Sequence, residues 1–207
     1  MQLSQRAPSW RALLAMGAFT VLVLPFAAAA DETSPAAGLP LEEQVQYCGF
    51  CHGSDGNSTQ PGTPSLAGQP ALAITNQLIY FRERLRQSEI MTPQARGLDD
   101  EEIQAMAAYY ADQPVAEPEG ERDADLAKQG QEIVTSQGCA SCHSSDYSGR
   151  EQMPRLAGQR EDYLFAAMVA YRDRTRGGPD TTMIDIMRGI SDEDIEAMAH
   201  HLAHFDD

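Results

Sequence analysis

The chain carries apolar residues at helical spacing in three separate stretches, and this set of stretches occurs twice. In one of them Ile74, Leu78 and Phe81 are four and three residues apart, which places them on one face of an α-helix. The pattern predicts a helix over about 71–87, and the equivalent pattern predicts another over 161–174. Neither stretch has the strict alternation of a half-buried strand, so both indicate helices with one buried stripe.

The last helix of each half is predicted from its N-terminal residues. Asp99 and Ser191 are good N-caps, and Glu102 and Asp194 stand three residues later, where the partner in a capping box lies. Apolar positions follow at helical spacing and are expected to face a core. They are Ile103, Met106, Ala107 and Tyr110 in the first half, and Ile195, Met198, Ala199 and Leu202 in the second.

The two halves are copies of one unit with a period near 90 residues. The segment 64–69, Pro-Ser-Leu-Ala-Gly-Gln, recurs at 154–159 as Pro-Arg-Leu-Ala-Gly-Gln, and Met91 recurs as Met183. An internal repeat of this length indicates two homologous domains, and neither contains a convincing strand. The expected fold class is all-α, a tandem repeat joined by a short linker rich in Pro and Glu. We expect domain 1 over 31–113, the linker over 114–122 and domain 2 over 123–207.

The first thirty residues have the features of a secretory signal peptide. Arg6 and Arg11 give a positive start, the run over 12–26 is mostly apolar, and the alanines at 28–30 offer an A-x-A cleavage site. The apolar run is short for a transmembrane helix, which needs about 20 residues. We expect cleavage after residue 30 and a location in the periplasm of a bacterium, with an uncleaved anchor as the alternative.

The mature chain is expected to be strongly acidic. The full chain has 15 basic and 31 acidic residues, and loss of Arg6 and Arg11 leaves 13 basic against 31 acidic, a net charge of −18. This charge disfavours nucleic acid and an anionic membrane surface as partners. It favours a partner protein with a basic docking patch, and a loose membrane association would run through a partner complex. Simple solubility is the alternative reason for the charge.

One pentapeptide motif organises each half of the chain. The residues 48–52, Cys-Gly-Phe-Cys-His, recur at 139–143 as Cys-Ala-Ser-Cys-His, and the first helix of each half, predicted over 41–48 and 126–137, runs into the motif. Two cysteines on one helical turn reach the two vinyl groups of one haem, and the next His turns its imidazole to the iron. C-x-x-C-H is therefore typical of covalent c-type haem attachment, and we predict two haem c groups.

Two other kinds of site use cysteine pairs. A zinc site built from both motifs and a dithiol redox pair are the alternatives to haem. A redox pair would explain neither the His nor the duplication. All four cysteines of the chain lie in the two motifs, so no disulfide framework is left.

Opposite each His the iron needs a sixth ligand, and Met91 and Met183 are the candidates. They follow the His of their motif by 39 and 40 residues, each in a predicted loop eight residues before the N-cap of the last helix. Met187 is a rival, but its counterpart is Ala95, so it does not repeat. A thioether ligand stabilises ferrous iron and raises the reduction potential. It also fills the last coordination position, which suits electron transfer rather than substrate binding.

Other residues near the predicted sites have weaker patterns. Pro64 and Pro154 follow the motif His by 12 and 11 residues, and each is expected to place a backbone carbonyl on the His Nδ1–H; an ordinary turn proline is the alternative. His200, His201 and His204 have no counterparts in the first half. We expect them to be exposed, with a metal site of His200 and His204 as a minor alternative.

Three arginines repeat at the end of each second helix. They are Arg82, Arg84 and Arg86 in the first half and Arg172, Arg174 and Arg176 in the second. They are candidates for pairing with haem propionates or with the other domain, and solvated positions on a helix face are the alternative.

Taken together, these features resemble the cytochrome c4 family of dihaem cytochromes. The resemblance rests on the two C-x-x-C-H motifs, the two Pro-x-Leu-Ala-Gly-Gln segments, the two Met segments and the two capped last helices, and it covers nearly the whole mature chain. It implies two class I cytochrome c domains related by a pseudo-twofold axis, with the haems close across the interface. One departure is Ala73, which stands where Tyr163 matches a tyrosine common in the family.

The resemblance also implies which residues hold the haem groups. The implied thioether positions are Cys48, Cys51, Cys139 and Cys142, and the implied axial pairs are His52 with Met91 and His143 with Met183. The implied function is that of a periplasmic carrier, not an enzyme, which transfers single electrons between a donor complex and a terminal oxidase or reductase. The alternatives are a cytochrome subunit of a periplasmic dehydrogenase complex and a dihaem peroxidase-like enzyme. A peroxidase-like enzyme would need an iron without a sixth ligand, and the presence of a Met candidate in each half disfavours this.

Overall fold

The computed structural model describes residues 33–205 of the chain, and the predicted signal peptide over 1–30 lies outside this part. Within 33–205 the regular structure is helical, apart from an isolated β-bridge between Arg150 and Met153. The all-α prediction is therefore confirmed for the described residues. The helices are α1 Leu41–His52, α2 Ala71–Arg82, α3 Met91–Ala95, α4 Asp100–Ala111, α5 Ala124–Ser136, α6 Ala140–His143, α7 Glu161–Arg172, α8 Thr182–Ile186 and α9 Asp192–Ala203.

The last helix of each half lies where its caps predicted. Asp99 accepts the backbone N–H of Glu102, and the Glu102 carboxylate accepts the backbone N–H of Asp99 in return, so α4 has a complete capping box. Ser191 accepts the N–H of Asp194 at the start of α9, without the return bond. The eight apolar positions predicted to face a core are all buried, so the prediction for both helices is confirmed.

The second helix of each half is shorter than its predicted range. We expected helices over 71–87 and 161–174, and they end at Arg82 and Arg172. Arg84 and Arg174, which are equivalent in the repeat, have φ of +58° and +59°. A non-glycine residue in the left-handed region cannot continue a right-handed helix, so these two positions end the helices.

The Met segments and the haem motifs also differ from the prediction. Met91 opens the five-residue helix α3, and Met183 lies in the five-residue helix α8, where we expected loops. Helix α1 continues through the first motif to His52. In the second half α5 ends at Ser136, and a turn with Gly138 at φ +69° separates it from α6, which carries the second motif.

The two halves, called domain 1 (33–113) and domain 2 (123–205) from here on, build their cores differently. Domain 1 has two small clusters of buried side chains, one around Phe81, Ile103 and Met106 and one around Ile74 and Tyr110. Domain 2 has a single larger cluster, to which α5, α7 and α9 all contribute. Residues 33–205 nevertheless belong to one compact unit by their contacts.

The segment between α4 and α5 is packed against the domains. Asn57 of domain 1 donates to the Pro114 carbonyl at 3.0 Å and accepts the Ala116 N–H at 2.9 Å. The Val115 side chain lies between Gly68 and Gly158, since a Cβ added to these glycines would stand 2.5 and 3.1 Å from its two methyl groups. Both glycines have φ above +60°, so the two turns require glycine for their conformation and for the approach of Val115.

Candidate haem sites

The His of the first motif is buried and oriented by a backbone carbonyl. His52 is the last residue of α1, and its Nδ1 lies 2.8 Å from the Pro64 oxygen. A carbonyl only accepts, so Nδ1 carries the proton and Nε2 keeps its lone pair. Burial lowers the pKa of His52, which favours the neutral imidazole. A neutral ring with a free, fixed Nε2 is the form that binds iron.

The second motif repeats this geometry. His143 is the last residue of α6 and is buried, and its Nδ1 lies 2.8 Å from the Pro154 oxygen. Burial lowers the pKa of His143 as well. The distances agree although α6 is a separate helix and α1 is continuous. The expected contacts of Pro64 and Pro154 with the motif His are thus present in both halves.

The cysteines of both motifs are free thiols with one member of each pair exposed. Cys51 and Cys142 are exposed, and Cys48 and Cys139 are partly buried. Burial raises the pKa of the Cys48 thiol to about 11 and also raises the pKa of Cys139. Reactive dithiol motifs need the opposite shift, because the thiolate is the nucleophile. Cys48 and Cys139 therefore do not have the electrostatics of the nucleophile in a dithiol redox pair.

The Met residues of the two halves fall into two groups by burial. Met91 is partly buried against the same core cluster as Cys48, and Met183 is partly buried against the same cluster as Cys139. Met187 is 0% exposed, as is its counterpart Ala95. The structure thus packs Met91 and Met183, each partly buried, against the cluster that also contacts the first cysteine of their motif, and places Met187 fully inside the domain 2 core.

The repeated arginines divide into two kinds. Arg82 and Arg172 form ion pairs on their own domains, with Asp100 at 2.8 Å and Asp192 at 2.5 Å respectively. Arg86 instead lies over the Phe81 ring and donates to Gln77, and Arg176 lies over the Tyr171 ring and donates to the Tyr163 hydroxyl at 3.1 Å.

The Arg86 and Arg176 side chains are close enough to affect each other and Tyr163. Burial acts to raise the pKa of Tyr163, but the charges of Arg176 and Arg86 outweigh it and lower that pKa. Within residues 33–205 neither guanidinium has an ion pair with a carboxylate, and the Arg176 Nε is buried without a hydrogen-bond partner. Two partly buried cations in this state fit an anionic group.

The histidines of α9 are not exposed, which corrects our expectation. His200, His201 and His204 are 5–6% exposed. Asp123 and the start of α7 cover His200 and His204. The His200 Nε2 accepts the Asp123 N–H at 2.9 Å, so its Nδ1 carries the proton and donates to the Glu161 carboxylate at 3.0 Å. Both His200 nitrogens have hydrogen-bond partners, so a metal ion held by Glu161, His200 and His204 would have to displace the proton on His200 Nδ1.

The Pro-x-Leu-Ala-Gly-Gln segments of the two domains bind each other. Gln159 accepts the Ser65 N–H at 2.8 Å and donates to the Ser65 carbonyl at 2.9 Å. Gln69 accepts the Arg155 N–H at 3.0 Å and donates to the Arg155 carbonyl at 3.0 Å. Ser65 and Arg155 are equivalent in the repeat, so the exchange has pseudo-twofold symmetry. The repeated Gln was visible in the sequence, but nothing there assigned it to the opposite domain.

Family models match both halves of the chain. The model described as cytochrome c matches residues 127–206, and the one described as cytochrome c oxidase, cbb3-type, subunit III matches residues 41–109. Cytochrome c4 of Thiocapsa roseopersicina is 34% identical over 85% of this chain and 95% of its own length. The chain belongs to the cytochrome c4 family. Its fold is accordingly a tandem of two class I cytochrome c domains, as the resemblance implied.

Two further relatives bear on the function of this cytochrome c4-family chain. The crystal structure of reduced recombinant cytochrome c4 from Pseudomonas stutzeri matches with a TM-score of 0.74 and 28% identity, over 80% of this chain and 97% of the other. A protein named thiosulfate dehydrogenase electron acceptor from Stutzerimonas stutzeri (strain A1501) is 35% identical over 76% of this chain and 78% of its own length. The chain is a dihaem electron carrier of the cytochrome c4 type.

The residues of both domains fit the two covalently bound haem c groups that the family implies. Each C-x-x-C-H motif offers two thiols and a His whose Nε2 is free. The orphaned Arg176 Nε and the neighbouring Arg86 offer positive charge without a carboxylate partner in the described chain. Thioethers, an imidazole and a pair of cations are the donor set that a haem with its propionates requires. In the described residues no helix is long and apolar enough to cross a membrane.

Proposed function

We propose that this protein carries single electrons in the periplasm, between a donor complex and a terminal oxidase or reductase. The proposed thioether positions are Cys48, Cys51, Cys139 and Cys142, and the proposed axial pairs are His52 with Met91 and His143 with Met183. The observation that carries the proposal is the duplicated site. Each domain holds a buried motif His with Nδ1 on a proline carbonyl, and each has a partly buried Met on the same core cluster as its motif.

The side chains of the protein have separate tasks in this proposal. When bound, the two haem groups supply one-electron redox chemistry at iron. His52 and His143 offer Nε2, and the carbonyls of Pro64 and Pro154 hold the rings in one orientation and keep the proton on Nδ1. A fixed imidazole limits reorganisation between oxidation states, which favours fast electron transfer. Met91 and Met183 would offer their thioethers to the iron and would so exclude exogenous ligands.

The burial of the methionines supports Met183 over Met187. Met187 lies fully inside the domain 2 core, in the same buried cluster as Ile190 and Ile195. Its thioether fills volume there, as Met often does, and its counterpart Ala95 occupies the same buried register in domain 1. Met91 and Met183 instead match each other in repeat position and in partial burial, so we assign the same role to both.

The experiment is the visible spectrum of the dithionite-reduced holoprotein before and after carbon monoxide. The unmodified protein is expected to show no change, because both irons are six-coordinate. Met91→Ala and Met183→Ala are each expected to open one iron and to give a carbon monoxide shift of about half the total Soret intensity. Met187→Leu is the matched control and is expected to behave as the unmodified protein does.

The outcomes separate this proposal from its rivals. A carbon monoxide shift in the unmodified protein would favour a peroxidase-like enzyme, and peroxide turnover would then be measured. A shift in Met187→Leu with none in Met183→Ala would reverse the assignment of the ligand in domain 2. The absence of any haem spectrum after expression with a c-type haem attachment system would reject the proposal.

A second candidate is the electron-accepting subunit of a dehydrogenase complex. The observation in its favour is the 35% identity to a protein named thiosulfate dehydrogenase electron acceptor. The two functions predict different behaviour towards a purified thiosulfate dehydrogenase. A subunit would be reduced within the mixing time and would co-elute with the enzyme, whereas a free carrier would be reduced in collisions and would elute alone at physiological ionic strength.

A further inference from the structure

The peptide group that orients each motif His also contacts the opposite domain. The carbonyl of Pro64 accepts from His52 Nδ1 at 2.8 Å. The N–H of Ser65 belongs to the same peptide unit, and it donates to the Gln159 Oε1 at 2.8 Å. One planar amide therefore joins a side chain of domain 2 to the imidazole of domain 1. In a peptide unit the N–H and C=O are conjugated, so a hydrogen bond at one end polarises the other.

The same chain of bonds runs in the opposite direction. The Pro154 carbonyl accepts from His143 Nδ1 at 2.8 Å, and the Arg155 N–H of that peptide unit donates to the Gln69 Oε1 at 3.0 Å. The two glutamines thus act crosswise, each on the peptide that holds the other domain's His. Both are shielded from water, with Gln69 7% exposed and Gln159 5% exposed. Hydrogen bonds in such surroundings are electrostatically stronger than in solvent.

The second bond of each glutamine fixes its orientation. The Gln159 Nε2 donates to the Ser65 carbonyl at 2.9 Å, and the Gln69 Nε2 donates to the Arg155 carbonyl at 3.0 Å. Oε1 must therefore face the N–H, because the NH₂ group of each amide is engaged by the neighbouring carbonyl. Gln159 also accepts the Arg160 N–H at 3.0 Å, so its position is further restricted.

We propose that Gln69 and Gln159 are crosswise positioning residues, each setting the donor strength of the axial His in the opposite domain. The proposal rests on the proposed role of His52 and His143 as iron ligands. A glutamine oxygen on the peptide N–H makes the proline carbonyl a better acceptor for Nδ1–H. A stronger Nδ1–H bond gives the imidazole more anionic character, which makes it a better donor at Nε2 and favours ferric iron. Loss of the glutamine then raises the reduction potential of the opposite haem.

Each glutamine variant is predicted to change the reduction potential of the haem in the opposite domain. Gln159→Leu removes a side chain of domain 2 and is expected to shift the reduction potential of the domain 1 haem upwards, with the potential of the domain 2 haem unchanged. Gln69→Leu is expected to shift the domain 2 haem upwards. A role limited to holding the domains together would not give this pattern, because loosening the interface exposes both haems in either variant.

The measurement is a redox titration of the holoprotein followed by proton NMR, with the methyl signals of each haem assigned to its domain. Asn57→Ala is the matched control, since this amide also makes two hydrogen bonds to the backbone, at Pro114 and Ala116. It makes no bond to the two peptide groups whose carbonyls accept from His52 and His143. It is expected to leave both potentials unchanged. Gln159→Asn and Gln69→Asn, which keep a polar amide but do not reach the peptide, serve where a Leu variant fails to fold.

Each result decides the proposal. Upward shifts confined to the opposite haem support it. Shifts of the haem in the same domain, equal shifts of both haems or unchanged potentials in the folded variants would overturn it. The reduced spectrum with carbon monoxide tests the axial ligands separately in the unmodified protein. The prediction that each variant shifts the potential of the opposite haem can therefore be wrong while the proposed axial ligands and the carrier function remain supported.

Discussion

The two domains place an aromatic ring at different positions of the repeat, one on the last helix and the other in the loop after the motif. In domain 1 Gly56 has φ +81°, and a Cβ there would stand 2.8 Å from the Tyr110 ring. In domain 2 the position of Gly56 is taken by Tyr147, with φ +52°, and the position of Tyr110 is taken by Leu202. Tyr110, Tyr147 and Leu202 are all buried. One bulky ring fills the space in each domain, but it comes from the last helix in domain 1 and from the loop after the motif in domain 2.

The backbone around this exchange is unchanged. The oxygen of Gly56 accepts the N–H of Leu66 at 2.7 Å, and the oxygen of Tyr147 accepts the N–H of Leu156 at 2.8 Å. These bonds hold the loop that carries the proline contacting the motif His. The comparison teaches that the repeat keeps the backbone bonds near the His and allows core volume to move between elements, as close packing requires.

The largest expected effect comes from placing both rings in domain 1. Gly56→Tyr puts a second ring against Tyr110, and its Cβ would also stand 2.8 Å from the Ala67 backbone nitrogen. It should destabilise domain 1 by about 3 kcal/mol or more. Adding Tyr110→Leu should recover at least about 1.5 kcal/mol, because this pair is the one that domain 2 uses. Urea unfolding of the holoprotein, followed by circular dichroism, gives both values.

The outcome that contradicts this comparison is additivity. If the double variant is destabilised by the sum of the two single changes, the positions do not share one space. Tyr109→Leu is a suitable control for the second change, because Tyr109 neighbours Tyr110 but is only partly buried. It is expected to leave the Gly56→Tyr variant as unstable as before.

A smaller effect is expected where Met187 fills volume that domain 1 leaves to Ala95. Met187→Ala gives domain 2 the residue of domain 1 at a fully buried position. It should cost roughly 3 kcal/mol, because the rest of the larger domain 2 cluster does not collapse into the space. The spectrum of the reduced protein should stay unchanged with carbon monoxide. Thermal unfolding measures the first expectation, and a carbon monoxide shift would contradict the second.

A third contrast lies at the N-termini of α4 and α9. The Glu102 carboxylate accepts the N–H groups of Asp99 and Gly38 and the Gln44 amide, at 2.6–2.7 Å. Glu102→Ala should cost about 2 kcal/mol, since it leaves the buried Gln44 amide with only one partner. Asp194 is the repeat counterpart and makes no return bond to the cap. Asp194→Ala is therefore expected to change the free energy of unfolding by less than about 0.5 kcal/mol, and equal losses would contradict the comparison.

The sequence was sufficient for the features that depend on local chemistry or on repetition. The capped helices and their buried faces followed from spacing, and the proline carbonyls on His52 and His143 followed from the matched register of the two halves. The ends of α2 and α7 were missed, because Arg84 and Arg174 do not have the side chains that usually mark left-handed positions.

Features that depend on the packing of the domains could not be predicted. The burial of His200 was missed, since it depends on Asp123 and Glu161, which are distant from α9 in sequence. The crosswise bonds of Gln69 and Gln159 join residues 86 and 94 positions apart. A repeat shows that such a residue recurs, but it does not say which copy it contacts.

The smallest expected effect distinguishes the domains by their response to acid. His201 of α9 lies edge-on to the rings of Tyr147 and Phe205, and its Nε2 is buried without a hydrogen-bond partner. Burial, together with the charges of Arg122 and His200, lowers the pKa of His201 below its ordinary value of about 6.5. Domain 1 has Tyr109 at the equivalent position, which does not titrate in this range.

Because the pKa of His201 is lower in the folded state, the unfolded chain binds a proton at this residue at a higher pH than the folded protein does. Where only the unfolded chain is protonated, protonation favours unfolding. Stability is therefore full above about pH 6.5 and falls as the pH decreases below it. His201→Phe keeps an aromatic ring between Tyr147 and Phe205 and removes the titrating group. The melting temperature of the holoprotein, measured from pH 7.5 to pH 5, should fall less steeply in this variant than in the unmodified chain. Parallel curves would show that His201 is not a source of the acid sensitivity of domain 2.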